Sequence, residues 1–162
     1  MGLVSPDDSR LSHSGGASKA IWRVGIKPAL TEWAESLPLP LPLGSVVSCN
    51  FGPPGSNWLF HAVTLDIDHG RRLRPADCGS LFNALESSIR AAVTKMPLVS
   101  RRVAMPLLGT GVVGLPDRVI VNEIIDLALR LRDIRVQLII ASPDRSEEIR
   151  SLIDEAAFDV IV

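Results

Sequence analysis

The stretch "MPLLGTGVVGLP", Met105 to Pro116, stops an apolar run with three glycines in six residues, after which "DRVIVNEIIDLALRL" resumes with helical spacing. Two physical readings account for so much bare backbone at a strand-to-helix junction. Glycine admits the positive φ of a tight turn, and it also lacks the Cβ that would hold a ligand away from the main chain. Successive amides beside the N-terminus of a helix cradle an anion. The loop has no lysine of the kind that nucleoside-triphosphate loops carry, which argues against triphosphate hydrolysis. Taken alone, the stretch suits a bare turn as well as a ligand site.

Working outward, "RRVAMPLL" reads as a strand and Val119 to Leu131 as a largely apolar helix. "VQLIIAS" is apolar at nearly every position, which predicts a strand buried on both sides. "SEEIRSLIDEAA" reads as the final helix, with Glu147 and Glu148 suited to its first turn, and "FDVIV" as a closing edge strand. Upstream, "PADCGSLFNALESSIRAAVTKM" places Leu81, Leu85, Ile89 and Ala92 on one helical face. "SVVSCNF" and "NWLFHAVTLDI" are β-branched and aromatic runs separated by the turn signal "GPPGS".

The prolines of "LPLPLPLG" make that segment an extended connector. "PALTEWAES" and "ASKAIWRVG" read as helices, and "LVS" as a short apolar stub entering a polar loop, "PDDSRLSHSGG". Strands alternating with helices predict a single α/β domain over residues 1–162, with a mixed central sheet covered on both faces. Ligands of such folds bind at the carboxyl ends of strands, where both glycine-rich segments fall.

Composition narrows the function. The 162 residues are 46% hydrophobic but only 4% aromatic, so Leu, Ile, Val and Ala build the core. A net charge of -1 gives no global attraction to nucleic acid or to an anionic membrane, and neither is expected as a partner. Any anionic ligand must be held by local geometry. Cys49 and Cys78 form no redox or metal-spaced pair, which points to a reducing, cytoplasmic compartment. No apolar run approaches the ~18–20 residues of a membrane span, and the N-terminus lacks the pattern of a secretory signal.

With these residues in view, the chain resembles the macro domains, the family of ADP-ribose-binding modules. "LVSPDDSRLSHSGGASKAI" is similar in order and spacing to the family's strand, Asn-Ala-Ala-Asn-like turn, glycine-rich loop and helix. "LFHAV" resembles its strand ending in His-Ala-Val, and "MPLLGTGVVGLP" closely resembles its second phosphate loop. The likeness spans nearly the whole chain and implies a three-layer α/β/α fold. It implies a first phosphate loop of Ser14, Gly15, Gly16 and Ala17, and a second of Leu108, Gly109, Thr110, Gly111, Val112, Val113 and Gly114.

The departures from the family carry chemistry. Asp8 falls where family hydrolases place an Asn near the distal ribose, and Ser18 where many carry an Asp that helps activate water. Val113 replaces an aromatic residue, and Ser142 or Pro143 sits where a Phe commonly covers adenine. The family's initial strand and its Gly-Asp adenine contact are missing, which implies a divergent member or a segment of a longer protein. Asp8 is expected to hydrogen-bond a ribose hydroxyl while Asp7 orients the loop. His61 is expected to be a core histidine and His13 a solvated one. Trp22, Trp33 and Trp58 are spaced too widely to form one box, and His69, Arg71, Arg72 and Arg74 read as a solvated basic loop.

No cluster has metal-ligand spacing, and neither a metal nor a cofactor is expected. The expected function is binding of ADP-ribose or a related NAD-derived nucleotide, as a sensor or reader of the free ligand or of ADP-ribosylated protein, within a larger assembly of domains. Two alternatives stand beside it: an ADP-ribosyl or O-acetyl-ADP-ribose hydrolase, disfavoured because Ser18 is no base at neutral pH, and a scaffold whose pocket has decayed.

Overall fold

The computed structural model describes residues 1–13, 16–22, 32–51, 57–67, 73–141 and 145–159. Along the chain run β1 (Gly2–Asp8), α1 (Gly16–Trp22), β2 (Val46–Asn50), β3 (Trp58–Ile67), β4 (Leu73–Pro75), α2 (Cys78–Lys95), β5 (Arg102–Met105), α3 (Asp117–Arg130), β6 (Gln137–Ile140) and α4 (Ser146–Asp159). Residues 32–35 are helical inside the expected "PALTEWAES" helix. The sheet order is β2-β3-β1-β5-β6, with β4 paired to the end of β3. β1, β3, β5 and β6 are parallel to one another, while β2 and β4 run antiparallel to β3, so the sheet is mixed as predicted.

Alternation along the strands sorts side chains into two layers. Ser5 pairs with His61 and Val4 with Phe60, so Leu3, Ser5 and Asp7 share one face with Leu59, His61 and Val63. That face packs under Trp22 of α1 together with Cys49 and Leu59. The other face carries Val4, Phe60, Ala62, Val103 and Met105 against Leu81, Leu85 and Ile89 of α2 and Ile120, Ile124 and Leu127 of α3. Each such buried aliphatic side chain contributes roughly 1.5–3 kcal/mol. α2 starts where Asp77 caps it by accepting from the Ser80 amide.

The exit of α2 shows a different device. Pro97 has no amide to give the Val93 carbonyl, so that acceptor would be orphaned. Arg101 supplies the missing donor: Nη2 reaches Val93 O at 3.0 Å, Nε reaches Met96 O at 3.1 Å, and Nη1 reaches Ile134 O, beyond α3, at 3.2 Å.

Four expectations need correction. The "LVS" stub is the start of a seven-residue central strand that continues through Pro6, Asp7 and Asp8, because their backbone pairs with β3. The strand within "VQLIIAS" is half-buried rather than fully buried at Leu138, Ile139 and Ile140, and among the described residues β6 is the last strand in the sheet order. Phe158 and Asp159 of "FDVIV" belong to α4 rather than to an edge strand. The helix expected from Val119 begins two residues earlier, at Asp117, with Pro116 at its N-cap. The "GPPGS" turn and residues 160–162 lie outside the described residues.

Candidate functional site

All four parallel strands end on one side of the sheet, and a cavity of about 530 Å³ opens there. Its wall takes Pro6, Asp7 and Asp8 from the end of β1, Thr64, Leu65 and Ile67 from β3, Pro106 and Leu107 after β5, and Ala141 after β6. Gly16, Ala17 and Ser18 of α1 close one flank, and Gly109, Thr110, Gly111, Val112 and Val113 the other. The two glycine-rich segments singled out by sequence therefore border one cavity. Leu108 and Gly114 stand behind it: Leu108 is buried in the core, and Gly114 turns the chain at φ 73°. Ser14, Gly15 and Ser142 lie outside the described residues.

The second loop divides its glycines between the two readings of bare backbone. Gly109 has φ 88°, and a Cβ there would lie 2.6 Å from Leu81 Cδ2, so this glycine serves the turn. Gly111 is different: it has no positive φ, and an added Cβ would meet nothing within 4 Å. Turn bonds from Thr110 N to Leu107 O, from Gly114 N to Gly111 O and from Leu115 N to Gly109 O tie down the ends of the loop. Among the described residues nothing accepts from the amides of Gly111, Val112 and Val113. The middle of the loop is an unpartnered amide run on the cavity wall.

Across the cavity lies a polar cluster that periodicity does not reveal. A register shift after Asp7 pairs Asp8 with Leu65 rather than Thr64. Asp8 then turns to its own loop, accepting from Arg10 N at 2.9 Å, Ser12 N at 3.1 Å and Ser12 Oγ at 2.5 Å. Asp7 instead points into the α1 layer. Its Oδ1 accepts from His13 Nδ1 at 2.8 Å and from Ser18 Oγ, and its Oδ2 from His61 Nδ1 at 2.7 Å. The loop-orienting role expected of Asp7 thus falls to Asp8, and Asp7 holds the buried cluster.

Burial pushes the Asp7 carboxyl up. The hydrogen bonds from His13 and His61, the charge of His61 and the Ser18 hydroxyl together outweigh burial and hold it well below the usual carboxylate range. Ser18 and Asp7 both meet His13 at Nδ1, so the three do not form a nucleophile–base–orienter relay, which needs both ring nitrogens.

His61 is the bonded core histidine that its strand predicts. His13, expected in solvent, has a side chain only 11% exposed and stacks on Trp22 with ring centroids 3.4 Å apart. Trp33 lies against His61 at 5.1 Å, so two of the three tryptophans do enclose one cluster. Trp58 stands apart under Lys95. Sequence spacing also missed that Asp7, His13 and His61 each bring one possible metal-ligating atom to within 4.8 Å of the others. Of the basic loop, Arg74 lies in β4, and His69, Arg71 and Arg72 fall outside the described residues. Arg145, not singled out by any motif, lines the cavity and pairs with Asp117 and Glu148.

Cys49 Sγ lies 3.8 Å from His61 Nε2, and burial, then the nearby Asp7 charge, push its thiol up to about 12. The thiolate is the reactive form. At pH 8 iodoacetamide should therefore modify exposed Cys78 in the native protein and spare Cys49, with both reacting after denaturation; mass spectrometry reads the count.

Among the described residues no helix is long and apolar enough to cross a membrane. No family model matches the sequence. A protein of Aeropyrum pernix described only as uncharacterized is 29% identical over 121 residues, covering 75% of this chain and 59% of that protein. The chain thus spans about three fifths of that relative's length.

Solved structures give a closer likeness in shape. The Trypanosoma brucei macrodomain in complex with ADP-ribose superposes with a TM-score of 0.70 at 17% identity, over 96% of this chain and 62% of that one. The Oceanobacillus iheyensis macrodomain with ADP superposes with a TM-score of 0.70 at 18% identity, over 99% of this chain and 84% of that one. On this likeness of shape the chain has the macrodomain fold.

Proposed function

We propose that the cavity binds ADP-ribose or a related NAD-derived nucleotide, and that the protein acts as a sensor or reader of that ligand. The observation that carries this reading is the run of unpartnered amides at Gly111, Val112 and Val113 on a cavity of about 530 Å³. That volume lies within the range of small-molecule sites, roughly 300–1,000 Å³. Three successive N–H groups without acceptors favour an anionic oxygen, and the start of α1 on the opposite flank offers a second set at Gly16 to Ser18. The macrodomains of similar shape were solved with ADP-ribose and ADP, which supports a nucleotide diphosphate over a simple phosphate.

Binding accounts for the geometry better than turnover. Ser18 is no base, and the Asp7 carboxylate beside it already serves three donors and is a poor proton acceptor. A decayed scaffold would not need an open cavity bordered by both loops. ADP-ribose should stabilise the folded chain: at a concentration ~100 times its dissociation constant the gain is ~2.7 kcal/mol. Calorimetry and thermal unfolding read this, with AMP, which lacks the second phosphate, binding more weakly. A flat titration with no thermal shift at millimolar ADP-ribose would remove the proposal. ADP-ribosylated protein is the second ligand to test.

A further inference from the structure

We propose that Asp7, His13 and His61 form a binding site for a divalent transition-metal ion of the zinc type, at the inner wall of the cavity. The three residues come from β1, the loop after it and β3, and their donor atoms already lie within 4.8 Å of one another. Two imidazoles and one carboxylate are a ligand set for zinc or cobalt, and not for magnesium or calcium, which take oxygen.

The electrostatics suit a cation. Asp7 lines the cavity as a residue, but its carboxylate has no exposed surface, and among the described residues its only ion-pair partners are the two histidines. One buried carboxylate and two imidazoles present three donor groups that a divalent ion meets with opposite charge. The backbone is also committed to the cluster: His13 adopts φ 51°, a conformation few non-glycine residues take, and this brings its ring onto Asp7.

The coordination follows from the present contacts. Nδ1 of His13 and Nδ1 of His61 lie 2.8 and 2.7 Å from the two Asp7 oxygens. Ligands about 2.0–2.1 Å from a tetrahedral zinc stand about 3.3 Å apart, so each pair opens by roughly half an ångström as the ion replaces the shared protons. The His61 proton moves to Nε2, where Cys49 Sγ at 3.8 Å is the neighbouring acceptor, the outer contact that fixes a metal-bound imidazole. Ser18 Oγ stands beside the same group of atoms, 3.1 Å from His13 Nδ1.

The test uses the whole chain, freed of metal by chelator and with no nucleotide present, so its outcome is independent of the nucleotide reading. Zinc chloride is titrated by calorimetry, and cobalt chloride is followed by visible absorption. The expected result is one ion per chain for zinc and for cobalt, a raised melting temperature reversed by chelator, a cobalt spectrum of four-coordinate nitrogen and oxygen ligands, and no response to magnesium. His13→Asn and His61→Asn should each weaken zinc binding about tenfold or more. The cobalt spectrum of the unaltered chain decides the matter even if a variant fails to fold. No heat and no thermal shift with excess zinc would overturn the site and leave a purely hydrogen-bonded cluster. A thiolate-to-cobalt band, or zinc affinity unchanged in a folded His13→Asn variant, would place the ion elsewhere and overturn it as well.

Discussion

Gly111→Glu is expected to abolish ADP-ribose binding while leaving the fold intact. The substitution puts a carboxylate where the amides of Gly111, Val112 and Val113 are open to an anion. Loss of affinity should reach ~2 kcal/mol or more, since a charge-assisted contact is replaced by like-charge repulsion. Stability should barely change, because Gly111 needs no positive φ and a Cβ there has open space. Circular dichroism and the ligand-free unfolding midpoint establish that the variant is folded, and calorimetry then compares it with the parent. A folded variant that binds as tightly as the parent would reduce the loop to a turn. Gly109 could not serve this test, because its left-handed φ and its contact with Leu81 would confound stability with binding.

Asp7→Ala should be the more damaging change to the fold. It takes the carboxylate acceptor from His61 Nδ1 and leaves His13 Nδ1 and the buried Ser18 hydroxyl with each other. Removing one partner from a buried charged cluster costs about 3–5 kcal/mol, a large share of the 5–15 kcal/mol that holds a domain together. Urea unfolding of metal-free protein measures it, with the change read from the midpoint at constant slope. A loss below about 1 kcal/mol would mean that water reaches the cluster and replaces the carboxylate.

The same cluster shows where reading residues in order stops. α2 and α3 are legible because each keeps one apolar period along its length, and β3 because its run is long and β-branched. β1 is not legible beyond Ser5. Pro6, Asp7 and Asp8 look like a loop, and what makes them a strand is pairing to β3 and the burial of Asp7 against a histidine 54 positions away. Once Ser5 is paired with His61, Asp7 follows two residues further along the same face, but that pairing is a tertiary fact. The composition of β6 could not reveal its place at the end of the sheet order, since apolar content reports burial and not neighbours. The glycine loop was legible as a candidate site, yet which glycine bends the chain and which leaves room depended on φ values and on Leu81 across the core.

Arg101 sets the terms on which this protein can evolve. It lies just before β5, whereas the cavity begins just after that strand, so the guanidinium anchors the end of the sheet farthest from the ligand. A planar fork satisfies carbonyls from two separate segments at once, which the rotatable ammonium of a lysine would not reproduce. Changes at well-separated positions combine nearly independently. The cavity rim is therefore free to change while the anchored end keeps the layers in place. Selection for a new ligand can act on one end of the molecule without reopening the question of whether it folds.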